Sequence, residues 1–132
     1  MKKLIAFSLC LCAYYANAQT QFSHTASNPT GLITNTGVDT LTVDFPSYNI
    51  AVGIQLVVTK GTGTVAGIAR VYGSIDGTNY VATGDTLTLA DVSKNTQIWK
   101  LSTPVYRKYK IQTTGSGTMT ATTKGYITGL KN

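Results

Sequence analysis

From Asp39 onward, apolar and polar positions alternate along the chain with a period of two. Leu41, Val43 and Phe45 are interleaved with Thr40, Thr42 and Asp44, which predicts a half-buried strand that Pro46 ends. Ile50, Val52, Ile54, Leu56 and Val58 form the next inward set. Their neighbours Ala51, Gly53, Gln55 and Val57 are mostly small or apolar, so this strand is expected to be covered on both faces. After a turn at Lys60 to Gly63, Val65, Ala69, Val71 and Ile75 fall on one face. Ala66, Ile68, Arg70, Tyr72 and Ser74 fall on the other. Asp76-Gly77-Thr78-Asn79 is a further turn, of the Asp-Gly type that tolerates positive φ. Short strands are expected at Tyr80 to Thr83, Thr86 to Ala90 and Gln97 to Leu101, with a polar connection from Asp91 to Asn95. Val105, Tyr109 and Ile111 then alternate with Tyr106, Lys108 and Lys110. The closing strand sets Met119, Ala121 and Ile127 against Thr120, Thr122, Lys124 and Tyr126. No stretch carries a helical period.

One unit occurs twice. Gly61-Thr62-Gly63-Thr64 runs on to Arg70 and Tyr72, and Gly115-Ser116-Gly117-Thr118 runs on to Lys124 and Tyr126. Each follows an apolar or aromatic run ending in Thr, so each reads as a β-hairpin. About eight short strands separated by Gly, Asn and Asp turns predict an all-β, antiparallel β-sandwich, with a barrel as the alternative.

The organisation ahead of Asp39 differs. Lys2 and Lys3 precede an apolar stretch from Leu4 to Tyr15, too short to span a bilayer as a helix, and Ala16-Asn17-Ala18 supplies small residues for cleavage. Residues 1–18 therefore read as a signal peptide, leaving no membrane span once it is removed. Neither Cys10 nor Cys12 follows the small residue that lipid modification requires. Residues 19–38 are rich in Thr, Ser and Asn and read as a flexible polar arm. Residues 39–132 form the expected sandwich domain.

Composition narrows the chemistry. Both cysteines lie in the leader, so the mature chain has no disulfide framework and no thiol nucleophile. Lys2 and Lys3 account for two of the 11 Lys and Arg, leaving nine cations against five aspartates, a net charge of +4. That charge is scattered, which disfavours specific nucleic-acid binding. Threonine abundance and the absence of Glu fit an extracellular β protein. His24, the single histidine, falls in the predicted arm with no thiol or Glu to pair with, so neither a catalytic triad nor a zinc site is expected. Asp76 and Asp85 are read as turn residues, not as an opposed glycosidase pair. Asp76, Thr78, Asn79 and Asp85 match no EF-hand spacing. The Gly-Thr-Gly-Thr turn is followed by a strand, where a phosphate loop requires a helix. No enzyme activity and no cofactor is expected.

The candidate surface is aromatic and basic. Trp99 and Tyr109 fall at core positions by parity. Tyr72 shares a face with Arg70, and Tyr126 shares a face with Lys124. Tyr106, Lys108 and Lys110 would add a third patch on the adjoining strand. These seven residues suit a partner protein or a glycan, as well as ordinary cross-strand pairing.

The string Tyr72-Gly73-Ser74-Ile75-Asp76-Gly77-Thr78-Asn79-Tyr80, with the late strand Tyr106-Arg107-Lys108-Tyr109-Lys110-Ile111 and its Gly-x-Gly-Thr turn, resembles small β-sandwich structural proteins of tailed-phage virions. The resemblance covers roughly Leu56 to Leu130. It implies a non-enzymatic decoration, head-fibre or tail accessory component working through assembly or adhesion, as a homo-oligomer or on a larger assembly. The leader is similar to those of exported Bacteroidetes proteins. The alternative is therefore a secreted bacterial surface or carbohydrate-binding module, and the expected location is a virion or the cell exterior.

Overall fold

Two antiparallel sheets face one another around a single apolar core. The computed structural model describes residues 19–45, 49–102 and 104–131, and of residues 49, 50, 130 and 131 only the backbone. The predicted leader lies outside the described residues, as do Pro46 and the Ile50 side chain.

Sheet I contains β1 (Thr20–Gln21), β3 (Leu32–Thr34), β5 (Asn49–Thr64), β8 (Lys94–Leu101) and β10 (Thr118–Lys131). Its order is β1-β10-β5-β8, with β3 also paired to β10. Sheet II contains β2 (Ser23–His24), β4 (Val38–Asp44), β6 (Gly67–Ser74), β7 (Val81–Leu89) and β9 (Lys108–Gly115), in the order β2-β4-β9-β6-β7. The sheets do not close into a barrel, so the sandwich expectation holds. Ten strands stand among the described residues, where about eight were expected.

Period-two alternation sets the core as predicted along the long strands. Leu41 and Val43, Val52 to Val58 at every second residue, Val71, Ile111, Met119 and Ile127 are all buried. Tyr109 is fully buried, and Trp99 is buried at the strand edge, where its indole N–H donates to the Thr86 carbonyl at 3.3 Å. That bond joins β8 of sheet I to β7 of sheet II. Burying apolar area between two sheets is the dominant stabilising term for a chain with no cross-link among its described residues.

The two glycine turns are not hairpins. Gly61–Thr64 continues β5 in sheet I, paired with β10 through a register shift at Gly61, and Val65-Ala66 carries the chain across to β6 in sheet II. The Ser116-Gly117 turn likewise takes β9 in sheet II to β10 in sheet I. The two copies pair with each other: β5 with β10, and β6 with β9. Gly63 has φ +71° and lies against the Thr118 backbone, where a Cβ would overlap the carbonyl. Asp91 braces this corner by accepting from Lys60 Nζ at 2.7 Å and from the Val65 N–H at 2.8 Å. The Lys60 bond, then the Val65 N–H, hold its carboxyl below the usual carboxylate range. The true hairpin is β6–β7. Tyr80 to Thr83 and Thr86 to Ala90, expected as two strands, merge into β7, with a register shift opposite Arg70 and Tyr72 and positive φ at Gly84.

Residues 19–38 depart from the expected flexible arm. β1 pairs with β10 and β2 with β4, so this segment straps one side of the sandwich and touches both sheets. Phe22 and Ile33 are buried in the core. Isolated apolar residues in a polar run carry no periodicity, which is why the pattern hides them. Phe22 fills the space left by Gly125, and its N–H donates to the Gly125 carbonyl at 2.9 Å. Ile75 and Val105, expected inward, are exposed because both fall in connections and not in strands.

Candidate functional site

The cross-strand register decides which candidate residues meet. On β6 and β9 the outward positions pair as Arg70 with Gln112 and Tyr72 with Lys110, and the buried Ser74 lies across from Lys108. β4 continues the rows with Thr40, Thr42 and Asp44, and Thr86 lies across from Arg70 on β7. The outer face of sheet II thus gathers Arg70, Tyr72, Lys108 and Lys110 into one basic, aromatic and hydroxyl-rich surface.

At its centre the Lys110 ammonium sits between two phenol rings, 4.6 Å from the Tyr72 centroid and 4.7 Å from that of Tyr80. Each such contact contributes about 0.5–1 kcal/mol at an exposed site. Tyr72 Oη makes a long 3.5 Å hydrogen bond to Gln112 Oε1. Burial, and then the Asp44 and Asp76 carboxylates, push the Tyr80 phenol above its ordinary value. Tyr80 and Gln112 belong to this site although the sequence pattern does not single them out. The position of Tyr80 after an Asp-Gly turn and the place of Gln112 two residues beyond Lys110 are the signals that would find them.

Tyr80 is aimed by the turn before it. Asp76 Oδ1 accepts from Ser74 Oγ at 2.9 Å and from the Thr78 and Asn79 N–H groups, both at 2.8 Å. Its Oδ2 accepts from Asn79 Nδ2 at 2.6 Å. The Asn79 and Thr78 N–H groups, with the side chains of Asn79 and Ser74, hold the Asp76 carboxyl far below the usual carboxylate range. Asp85 accepts from Thr83 Oγ1 at 2.7 Å. The turn reading of Asp76 stands, whereas Asp85 lies within strand β7 beside Gly84; no cluster of His, Cys, Asp or Glu among the described residues is arranged to hold a metal ion.

Three expected site residues lie elsewhere. Tyr106 precedes β9, is partly buried, and packs edge-on to Tyr109 with centroids 6.0 Å apart. Its ring occupies the space over Gly73, where any Cβ would overlap it. It supports the core beneath sheet II and adds no patch beside Lys108. Lys124 and Tyr126 point outward from β10 in sheet I, on the opposite face of the molecule. The repeat places its two basic-aromatic pairs on opposite faces because one copy runs from sheet I to sheet II and the other runs back. On sheet I, Tyr126, Gln55, Ile98, Gly53 and Thr128 border a shallow hollow of about 120 Å³, and Ile98 is 54% exposed.

Lys108 and Arg107 share Asp44, at 3.9 and 3.7 Å. Arg70 and Lys110 have no ion-pair partner among the described residues.

His24 is not solvated as expected. Its side chain is 14% exposed and its Nδ1 lies 3.5 Å from Asp39 Oδ1. Asp39 is buried, accepts from Asn28 Nδ2 at 3.0 Å, and accepts from Thr123 Oγ1 across the two sheets. The cluster ties the N-terminal strap to both sheets. Thr123 donates to the carboxylate and not to the imidazole, so no nucleophile is activated there.

Comparison with known proteins supports the architecture alone. No protein-family model matches the chain, and no curated protein matches it in sequence. Among solved structures, it is similar to the PBSX exported protein XepA, with a TM-score of 0.56 and 10% identity over 87% of this chain. That match spans only 37% of XepA. It is also similar to the Yersinia pseudotuberculosis-derived mitogen, with a TM-score of 0.52, 8% identity and 88% of each chain covered. A third likeness is to the CBM22-1 xylan-binding domain of Paenibacillus barcinonensis Xyn10C, with a TM-score of 0.50, 14% identity, and 89% and 88% of the two chains covered. At such identities the shared property is the antiparallel β-sandwich.

Proposed function

We propose that this protein is a non-enzymatic attachment module: a structural or adhesive β-sandwich serving as an accessory component of a phage virion, on a larger assembly or as an oligomer. The observation that carries this reading is the outer face of sheet II. There a rigid pair of central strands presents Arg70, Tyr72, Lys110 and Gln112, with Tyr80 fixed by its turn. A non-enzymatic role is supported by the aspartates. Asp39, Asp76 and Asp91 hold the strap, a turn and a corner through hydrogen bonds, Asp85 is bonded to Thr83 within β7, and Asp44 sits beside Arg107 and Lys108. The virion setting rests on the resemblance carried by Tyr72 to Tyr80 and Tyr106 to Ile111. Mass spectrometry of purified particles should find the protein in stoichiometric amount with a repeated shell or tail component. Its absence from particles overturns the virion assignment.

A second reading, a secreted carbohydrate-binding module, is favoured by the hollow beside Tyr126, Gln55 and Ile98 on sheet I. A sandwich fold also serves a xylan-binding domain. Glycan-array binding that Tyr126→Ala abolishes supports this reading, and an array silent for the unaltered protein removes it.

A further inference from the structure

We propose that the outer face of sheet II binds a carboxylated glycan, a polymer of uronic acid residues, through Arg70 and Lys110; this rests on the attachment reading above. A neutral sugar ring stacks on an open aromatic plane. Here the Lys110 ammonium covers a face of both Tyr72 and Tyr80, at 4.6 and 4.7 Å. What the cluster offers a ligand is therefore a positioned cation. Its two ring neighbours remove water without neutralising it, and no carboxylate pairs with it among the described residues.

Arg70 is exposed and also lacks an ion-pair partner among the described residues. Its planar guanidinium suits a carboxylate, which it can grip with two parallel hydrogen bonds. Arg70 faces Gln112 and Tyr72 faces Lys110, so Arg70 and Lys110 are diagonal neighbours, with Cβ atoms about 7–8 Å apart or less. The two cations thus reach a carboxylate and the groups beside it on one sugar chain. Gln112 and the outward hydroxyls of Thr42 and Thr86 on the same rows supply hydrogen bonds for sugar hydroxyls. A nucleic acid would need a longer run of cations to track its phosphates. Lys108 does not extend the run, because Asp44 lies 3.9 Å from it.

The test is affinity electrophoresis and calorimetry of the full chain with polygalacturonate, alginate and hyaluronate. Fully methyl-esterified polygalacturonate, dextran sulfate and single-stranded DNA are the comparison probes. At least one uronate polymer should bind, its methyl ester or neutral form should bind much less, and rising salt should weaken binding. Lys110→Met keeps the stem between the two rings and removes the charge. It and Arg70→Gln should each lower affinity by about tenfold or more, the scale of a lost charge-assisted hydrogen bond, whereas Tyr126→Ala should not. Matching thermal unfolding of each variant to the parent separates lost binding from lost fold. No binding to any uronate polymer overturns the proposal, as does equal binding to the methyl ester or retained affinity in Lys110→Met. Equal binding to dextran sulfate and DNA assigns the face to non-specific polyanion attraction and overturns it too. None of these outcomes changes whether the protein is found in particles, which tests the attachment reading by itself.

Discussion

Replacing Phe22 with alanine probes the largest difference between the expected arm and the folded strap. Phe22 is 2% exposed and sits between β1, paired to sheet I, and β2, paired to sheet II. Truncating a buried Phe costs about 3–5 kcal/mol, counting both lost transfer energy and the cavity left behind. With a urea slope of about 1–3 kcal/mol/M, the unfolding midpoint should fall by roughly 2 M without a change in slope. The complementary change is Gly125→Ala. A Cβ there would stand 3.0–3.1 Å from the Phe22 side chain, so overpacking should cost about 1–3 kcal/mol. The double variant gives the methyl the space the ring vacates. Its loss should therefore be smaller than the two single losses combined, by about 1 kcal/mol. Equilibrium urea unfolding of the four proteins measures all three quantities. A Phe22→Ala loss below about 1 kcal/mol, the range of surface substitutions, would refute the strap and restore the flexible arm.

Other expectations follow from the same geometry. Thr123→Val removes the hydroxyl that donates to buried Asp39 and should cost about 1–3 kcal/mol in urea unfolding; a neutral result would contradict the cross-sheet tie. Asp76 has a depressed folded pKa, so its stabilisation is present at neutral pH and is lost as pH falls below the ordinary carboxylate value. The urea midpoint of Asp76→Asn should accordingly vary less with pH on the acid side than that of the parent, and an unchanged slope would discredit the turn's role. Burial pushes the Tyr109 phenol up to about 12. Its contribution to stability is complete below the ordinary tyrosine value and fades as pH rises towards 12. Ultraviolet titration of the folded protein should thus show a late phenolate step at about pH 12, and Tyr109→Phe should remove that step; an unchanged titration would count against the burial.

How much of this was legible depended on how local each signal was. Alternation around Leu41 to Val43, Val52 to Val58 and Met119 to Ile127 is a property of each strand alone, and those residues are buried as the pattern indicates. The glycine segments misled because Gly-x-Gly-Thr marks a departure from regular strand both in a hairpin and where a strand bulges or passes to the other sheet. What separates them is the distant partner, β10 for β5 and β9 for β6. The site was half legible for the same reason. Arg70, Tyr72 and Lys110 appear as outward positions, but their meeting depends on the β6–β9 register. Lys124 and Tyr126 look equivalent to Arg70 and Tyr72 until the strands are assigned to different sheets. Tyr106 has the parity of a surface residue, yet the strand begins only at Lys108, and the side chain turns into the space over Gly73.

The central claim is that attachment uses the outer face of sheet II. It is tested most directly by mapping hydrogen–deuterium exchange of the full chain with and without the surface it binds, whether purified particles or a uronate polymer. The account predicts added protection confined to Arg70–Ser74, the Tyr80 turn and Lys108–Gln112, with β5, β8 and β10 unchanged. Protection centred on Tyr126, Gln55 and Ile98, leaving β6 and β9 untouched, would contradict it.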